Sequence, residues 1–117
     1  MKKLEMSSDI AKILYCSVSC VVKHGKIDCL RIFEFGEYEF VEPDGKYFTL
    51  EELQECVGGL IEFVYLKNDY VMVLNEEGKI NGKCVPNLQA TKLYHNSHET
   101  DDVIYGNVLI CKNKYLK

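Results

Sequence analysis

Between Phe48 and Lys79 the pattern of apolar and polar positions reads as one unit: a short helix, a stop, two strands and a polar turn. Leu50, Leu53 and Val57 share one helical face, which predicts that this face is buried against the strands that follow. Thr49 stands where an N-cap is needed and Glu52 follows three residues later, the spacing of a capping box. Phe48 and Leu53 supply the accompanying hydrophobic staple, and Gly58 the left-handed residue that stops the helix. Leu60 to Leu66 and Tyr70 to Leu74 are β-branched and aromatic runs of strand length. Lys67-Asn68-Asp69 separates them with residues that tolerate positive φ, which predicts a β-hairpin. Asn75-Glu76-Glu77-Gly78 then reads as a turn with Gly78 in the left-handed position, followed by Lys79.

The flanking segments extend this pattern. Ser7, Ser8 or Asp9 reads as the cap of a short helical turn expected near the start. Ile13 to Val22 alternates, with Cys16, Val18, Cys20 and Val22 on one face, and predicts a strand. A turn at Lys23-His24-Gly25-Lys26 leads to a second strand over Ile27 to Phe35, so the first third reads as a hairpin. Gly36-Glu37 is a weak break before Tyr38 to Val41, and Pro43-Asp44-Gly45 a strong one. Asn81-Gly82 is a further turn, after which Asn87 caps a helix with Leu88, Thr91 and either Leu93 or Tyr94 on one face. Asn96 to Asp102 reads as a solvated loop. Val103 to Cys111 reads as a last strand, with Gly106-Asn107 marking a bulge or close backbone approach. The expectation is a single α+β domain: a mostly antiparallel sheet with one or two short helices, near Leu50–Val57 and Leu88–Tyr94, packed on one face.

Length and composition narrow the function classes. A chain of 117 residues buries about two-thirds of its unfolded surface and folds without staples. The first residues lack an apolar stretch of signal-peptide length, and no run reaches a membrane span, which points to the cytoplasm. The six cysteines sit mostly inside apolar patterns, where a reduced thiol behaves as a small hydrophobe. A net charge of −4 opposes an extended phosphate-neutralising surface, so nucleic acid is not the expected partner. Glu34, Glu37, Glu39, Glu42 and Asp44 form the densest acidic stripe, but they interleave with Phe35, Tyr38 and Phe40 as the wet side of an ordinary strand does.

The landmarks VGGLIEFVYL, VLNEEGKING, VPNLQAT and DVIYGNVLIC give the chain a family likeness. It resembles the family called domain of unknown function 3846 over about Leu30 to Lys112. The pattern positions include Gln54, Gly58, Gly59, Ile61, Glu62, Asn75, Glu76, Glu77, Gly78, Lys79, Pro86, Asn87, Ile104 and Gly106. Residues 1–29 are then an N-terminal extension, read as a strand of the same domain, and residues 113–117 a mobile tail. The resemblance implies an origin in phages or other mobile elements and carries no assigned activity.

Candidate chemistry is sparse. Asn75, Glu76, Glu77 and Lys79 concentrate hydrogen-bonding groups within five residues; turn amides and Lys79 suit a carboxylate or phosphate, while Asn75 and Asn87 suit a polar edge. The competing reading is a solvated turn whose asparagine satisfies its own backbone. Gly58-Gly59 ends a helix rather than opening one and has no G-K-[ST] after it, so it is not a phosphate-binding loop. His95 and His98 have a spacing that suits a shared metal, with Glu99, Asp101 or Asp102 as third ligand, and Cys16 with Cys20 is the other candidate pair. Neither has the partners of a recognised metal motif, and no metal or cofactor is expected. No nucleophile-base pair is legible, so no catalytic residue is nominated. The expected function is that of a non-enzymatic accessory protein binding a host or phage partner, or a small polar ligand, through Asn75, Glu76, Glu77, Lys79 and Asn87. The alternatives are a small hydrolase or transferase using Glu62, Glu76 or Glu77, and a homodimer paired through tyrosine-rich edge strands.

Overall fold

Tyr70–Asn75 is buried at every position, so the strand it forms must be covered on both faces of the sheet. The computed structural model describes residues 1–4, 25, 27–79 and 84–117. In chain order the elements are β1 (Lys2–Leu4), β2 (Cys29–Ile32), β3 (Tyr38–Glu42), α1 (Leu50–Val57), β4 (Ile61–Tyr65), β5 (Tyr70–Asn75), α2 (Leu88–Ser97) and β6 (Val108–Lys112). A 3-10 turn over Asn113–Tyr115 follows. The strands form one antiparallel sheet in the order β1-β3-β2-β6-β5-β4. The last strand is inserted in the middle: Leu109 lies opposite Arg31 of β2 on one side and Val73 of β5 on the other. It ties the β2–β3 hairpin to the β4–β5 hairpin.

Strand alternation divides the core. Leu30, Ile32, Tyr70, Met72, Val108 and Ile110 pack with Ala90 and Leu93 of α2. Cys29, Val41, Val73, Leu109 and Cys111 pack with Leu53, Cys56 and Val57 of α1. Successive strand residues point to opposite sides of a sheet, so each helix covers a face of its own. The α+β class and the antiparallel sheet are as the pattern predicts.

Local signals shape the elements as expected in most places. Thr49 Oγ1 accepts from the Glu52 amide at 3.1 Å and Glu52 Oε1 from the Thr49 amide at 2.9 Å, completing the capping box. Gly58 is left-handed at φ 79° and donates to Gln54 O at 2.7 Å. Asn68 and Asp69 take φ of 60° and 63°, the pair of positive values of a type I′ hairpin turn.

Other expectations need correction. Gly78 is absent from the positive-φ glycines; a Cβ there would meet the Tyr105 carbonyl at 3.2 Å, so close approach is what requires glycine. Leu50 and Leu88 are 54% and 69% exposed, because the buried helical faces are carried by Leu53, Cys56 and Val57 and by Ala90, Thr91 and Leu93. The final strand begins at Val108, after Gly106 turns left-handed at φ 85°; before it, Tyr105 makes only an isolated bridge to Pro86. The close approach predicted at Gly106 is present, since a Cβ there would meet Cys84 Sγ at 3.1 Å. The tail is docked: the Phe48 amide donates to Tyr115 O and the two rings meet edge to face. The strand expected over Ile13 to Val22, the cap near Ser7, the turn at Asn81-Gly82 and the Cys16–Cys20 pair lie outside the described residues.

Candidate functional site

The α2 face of the sheet ends in a groove beside the Asn75–Lys79 turn. Glu62 and Val64 of β4 and Leu74 of β5 share that face, because Glu62 lies directly opposite Leu74 in the ladder. Tyr94 of α2 lines the same groove. Residues 102–105 close the far side, with Tyr105 O approached by Gly78. The enclosed volume is about 180 Å³, with Leu74, Val64 and Ile104 as apolar floor and Glu62, Glu76, Lys79, Asp102, Tyr94 and Tyr105 as polar rim.

Lys79 reaches across the groove mouth to Asp102, Nζ to Oδ1 at 2.7 Å. That hydrogen bond raises the Lys79 pKa above its ordinary value, so the ammonium stays charged. Both side chains are about half exposed, which makes this pair worth at most about 1 kcal/mol to stability. A ligand can therefore replace one partner without a large structural penalty.

The five residues expected to bind do not act together. Glu76 and Lys79 line the groove, whereas Glu77 is exposed and does not contribute to the lining. Asn75 forms part of the wall, but its amide faces the other way. It lies opposite Ile61 on the α1 face, where Nδ2 donates to Val57 O at 3.2 Å and Oδ1 accepts from the Glu77 amide at 2.8 Å. Gly59 is glycine because a Cβ there would sit 3.0 Å from that Nδ2. Asn87 is 1% exposed and fully occupied: Oδ1 accepts from the Ala90 amide at 3.1 Å, while Nδ2 donates to Ile32 O at 3.2 Å and Gly106 O at 2.9 Å. It caps α2 and pins that cap to two other segments. Both asparagine amides are taken up by backbone partners that hold the frame of the site.

Of the alternative acid residues, Glu62 and Glu76 converge on the groove and Glu77 does not. His95 belongs to α2, which runs through Ser97, and not to a loop. Its Nε2 donates to Asp102 O at 2.6 Å, and His98 Nε2 donates to Tyr65 O at 2.7 Å. A carbonyl can only accept, so each ring carries its proton on that nitrogen. Both rings fasten the end of α2 to its surroundings. Among the described residues no group of three histidine, cysteine or carboxylate side chains is placed to hold a metal. Cys29 and Cys111 are buried beneath α1 and Cys56 on its inner face, and burial pushes the Cys56 and Cys111 thiols up to about 11 and about 12, with Cys29 higher still.

Sequence reasoning weighed Asp102 only as a metal ligand beside His95 and His98, and did not place Asp102, Tyr94 or Tyr105 beside the Asn75–Lys79 turn. Asp102 lay in a stretch read as solvated loop, and only the path of the chain after α2 brings it back to Lys79.

Among the described residues, a sheet with one short helix on each face and a small groove at one corner defines an α+β domain. The chain belongs to the family described as domain of unknown function (DUF3846), whose model matches residues 27–115. No curated protein and no solved structure matches it.

Proposed function

We propose that the chain is a non-catalytic binding module of a phage or other mobile element, holding a small polar ligand or a side chain of a partner in the groove between the Asn75–Lys79 turn and α2. The observation that carries this reading is the groove itself. It combines an apolar floor, two tyrosines and charged groups of both signs at the rim, the composition of a site that fixes orientation by a few polar contacts. Glu76 and Lys79 of the expected binding residues serve at the rim, joined by Glu62, with Asn75 and Asn87 as supports. The state of Lys79 favours binding over catalysis: a nucleophilic or basic lysine needs a lowered pKa, and Asp102 shifts it the other way.

The test is native mass spectrometry of the full chain purified from its own host, alongside Lys79→Ala and Tyr94→Ala. The expected result is a bound species on the original chain that both variants lose while keeping the same circular dichroism. A bare chain, or equal retention by the variants, contradicts the reading.

A further inference from the structure

Among the described residues the sheet ends in two edges that differ. β1 is three residues long and exposes Lys2 and Lys3, the usual protection of a free edge. β4 is five residues long and has neither lysine nor proline. Leu66 N donates to Tyr70 O and Glu76 N to Leu60 O. Hydrogen-bonded pairs alternate along an antiparallel ladder, so residues 60, 62, 64 and 66 turn their backbone groups to β5. Ile61, Phe63 and Tyr65 turn theirs outward. Among the described residues the partner on that side is His98, at the Tyr65 carbonyl. Phe63 and Tyr65 are also 41% and 65% exposed.

We propose that β4 is a self-association edge, to which a second copy of this chain adds its own β4 antiparallel about a two-fold axis through Phe63. The sequence is self-complementary in that register. Phe63 faces Phe63 of the second copy and Ile61 faces Tyr65, all three through outward backbone groups, and the Tyr65 carbonyl has a second lone pair for this. The cross-strand neighbours are apolar and aromatic, the pairs that stabilise a ladder. Charge favours a second copy over an arbitrary peptide. Continuing the register sets Lys67 of the second copy opposite Gly59, beside the C-terminal end of α1, whose last turn carries the exposed Glu55 and no basic residue. The two-fold axis repeats that contact. Glu62 of the two copies lies diagonally across the axis on the α2 face, a repulsion weakened by water.

Sedimentation equilibrium of the full chain over a concentration series tests this, with Phe63→Lys as comparison. The expected mass is twice 13.5 kDa at high concentration and 13.5 kDa on dilution. Phe63→Lys should raise the dissociation constant at least about tenfold. Slower exchange of the Phe63 amide as concentration rises reads the same contact in the unmodified chain and decides the matter if the variant does not fold. A single-chain mass up to the order of 1 mM, association unaffected by Phe63→Lys in a folded variant, or Phe63 exchange that does not depend on concentration overturns the proposal.

Discussion

Replacing Asn87 by alanine separates a supporting role from a binding role. The side chain is buried and joins three segments: the first turn of α2 through Ala90, β2 through Ile32 and the left-handed bend through Gly106. Losing the cap costs about 1 kcal/mol. Ile32 O and Gly106 O each lose a buried donor, at about 1 kcal/mol apiece, so the total is about 3 kcal/mol. Asn87→Asp keeps the acceptor for Ala90 but turns a carboxylate toward two carbonyls, and should destabilise at least as much. The assay is equilibrium urea unfolding followed by far-ultraviolet circular dichroism, with the midpoint falling and the slope unchanged. A loss below about 1 kcal/mol for Asn87→Ala would refute the reasoning, since it would mean that this amide bears little of the structure.

Other outcomes follow from the same geometry. Asn75→Ala should cost about 1–3 kcal/mol in urea unfolding, because Val57 O and the Glu77 amide lose their partner. Lys79→Ala should shift the unfolding midpoint by at most about 1 kcal/mol, its salt bridge being exposed. Under native conditions iodoacetamide should label Cys84 before Cys29, Cys56 or Cys111, which are buried with raised thiol pKa; peptide mass spectrometry reads the order. Burial pushes the Glu52 carboxyl up, but the Thr49 amide, the Met1 ammonium and the Asp44 amide outweigh it and leave the pKa below the ordinary 4.5. A lowered carboxyl pKa contributes stability that is present above about 4.5 and lost as pH falls through the native value. Glu52→Gln should therefore flatten the acid limb of a stability-against-pH curve, and an unchanged limb would contradict the assignment.

What the sequence made legible was local. The Thr49–Glu52 box, the Gly58 stop, the Asn68–Asp69 turn and the Asn87 cap each depend on residues within a few positions, and each is present. Asn75 is the instructive case: it continues the Val71, Val73 alternation, so parity places its amide on the α1 face, opposite to Leu74. Two further features were hidden because they are long-range. The insertion of β6 between β2 and β5, and the return of Asp102 to Lys79, depend on packing between segments that no local spacing encodes.

The binding account is tested most directly by two-dimensional amide NMR of the full chain titrated with a panel of small amines, carboxylates and phosphates. It predicts that at least one class moves signals at Glu76–Lys79, Tyr94 and residues 102–105 together, and that Lys79→Ala abolishes the response while leaving the remaining spectrum in place. Silence across the whole panel, or a response centred on the α1 face, would contradict it.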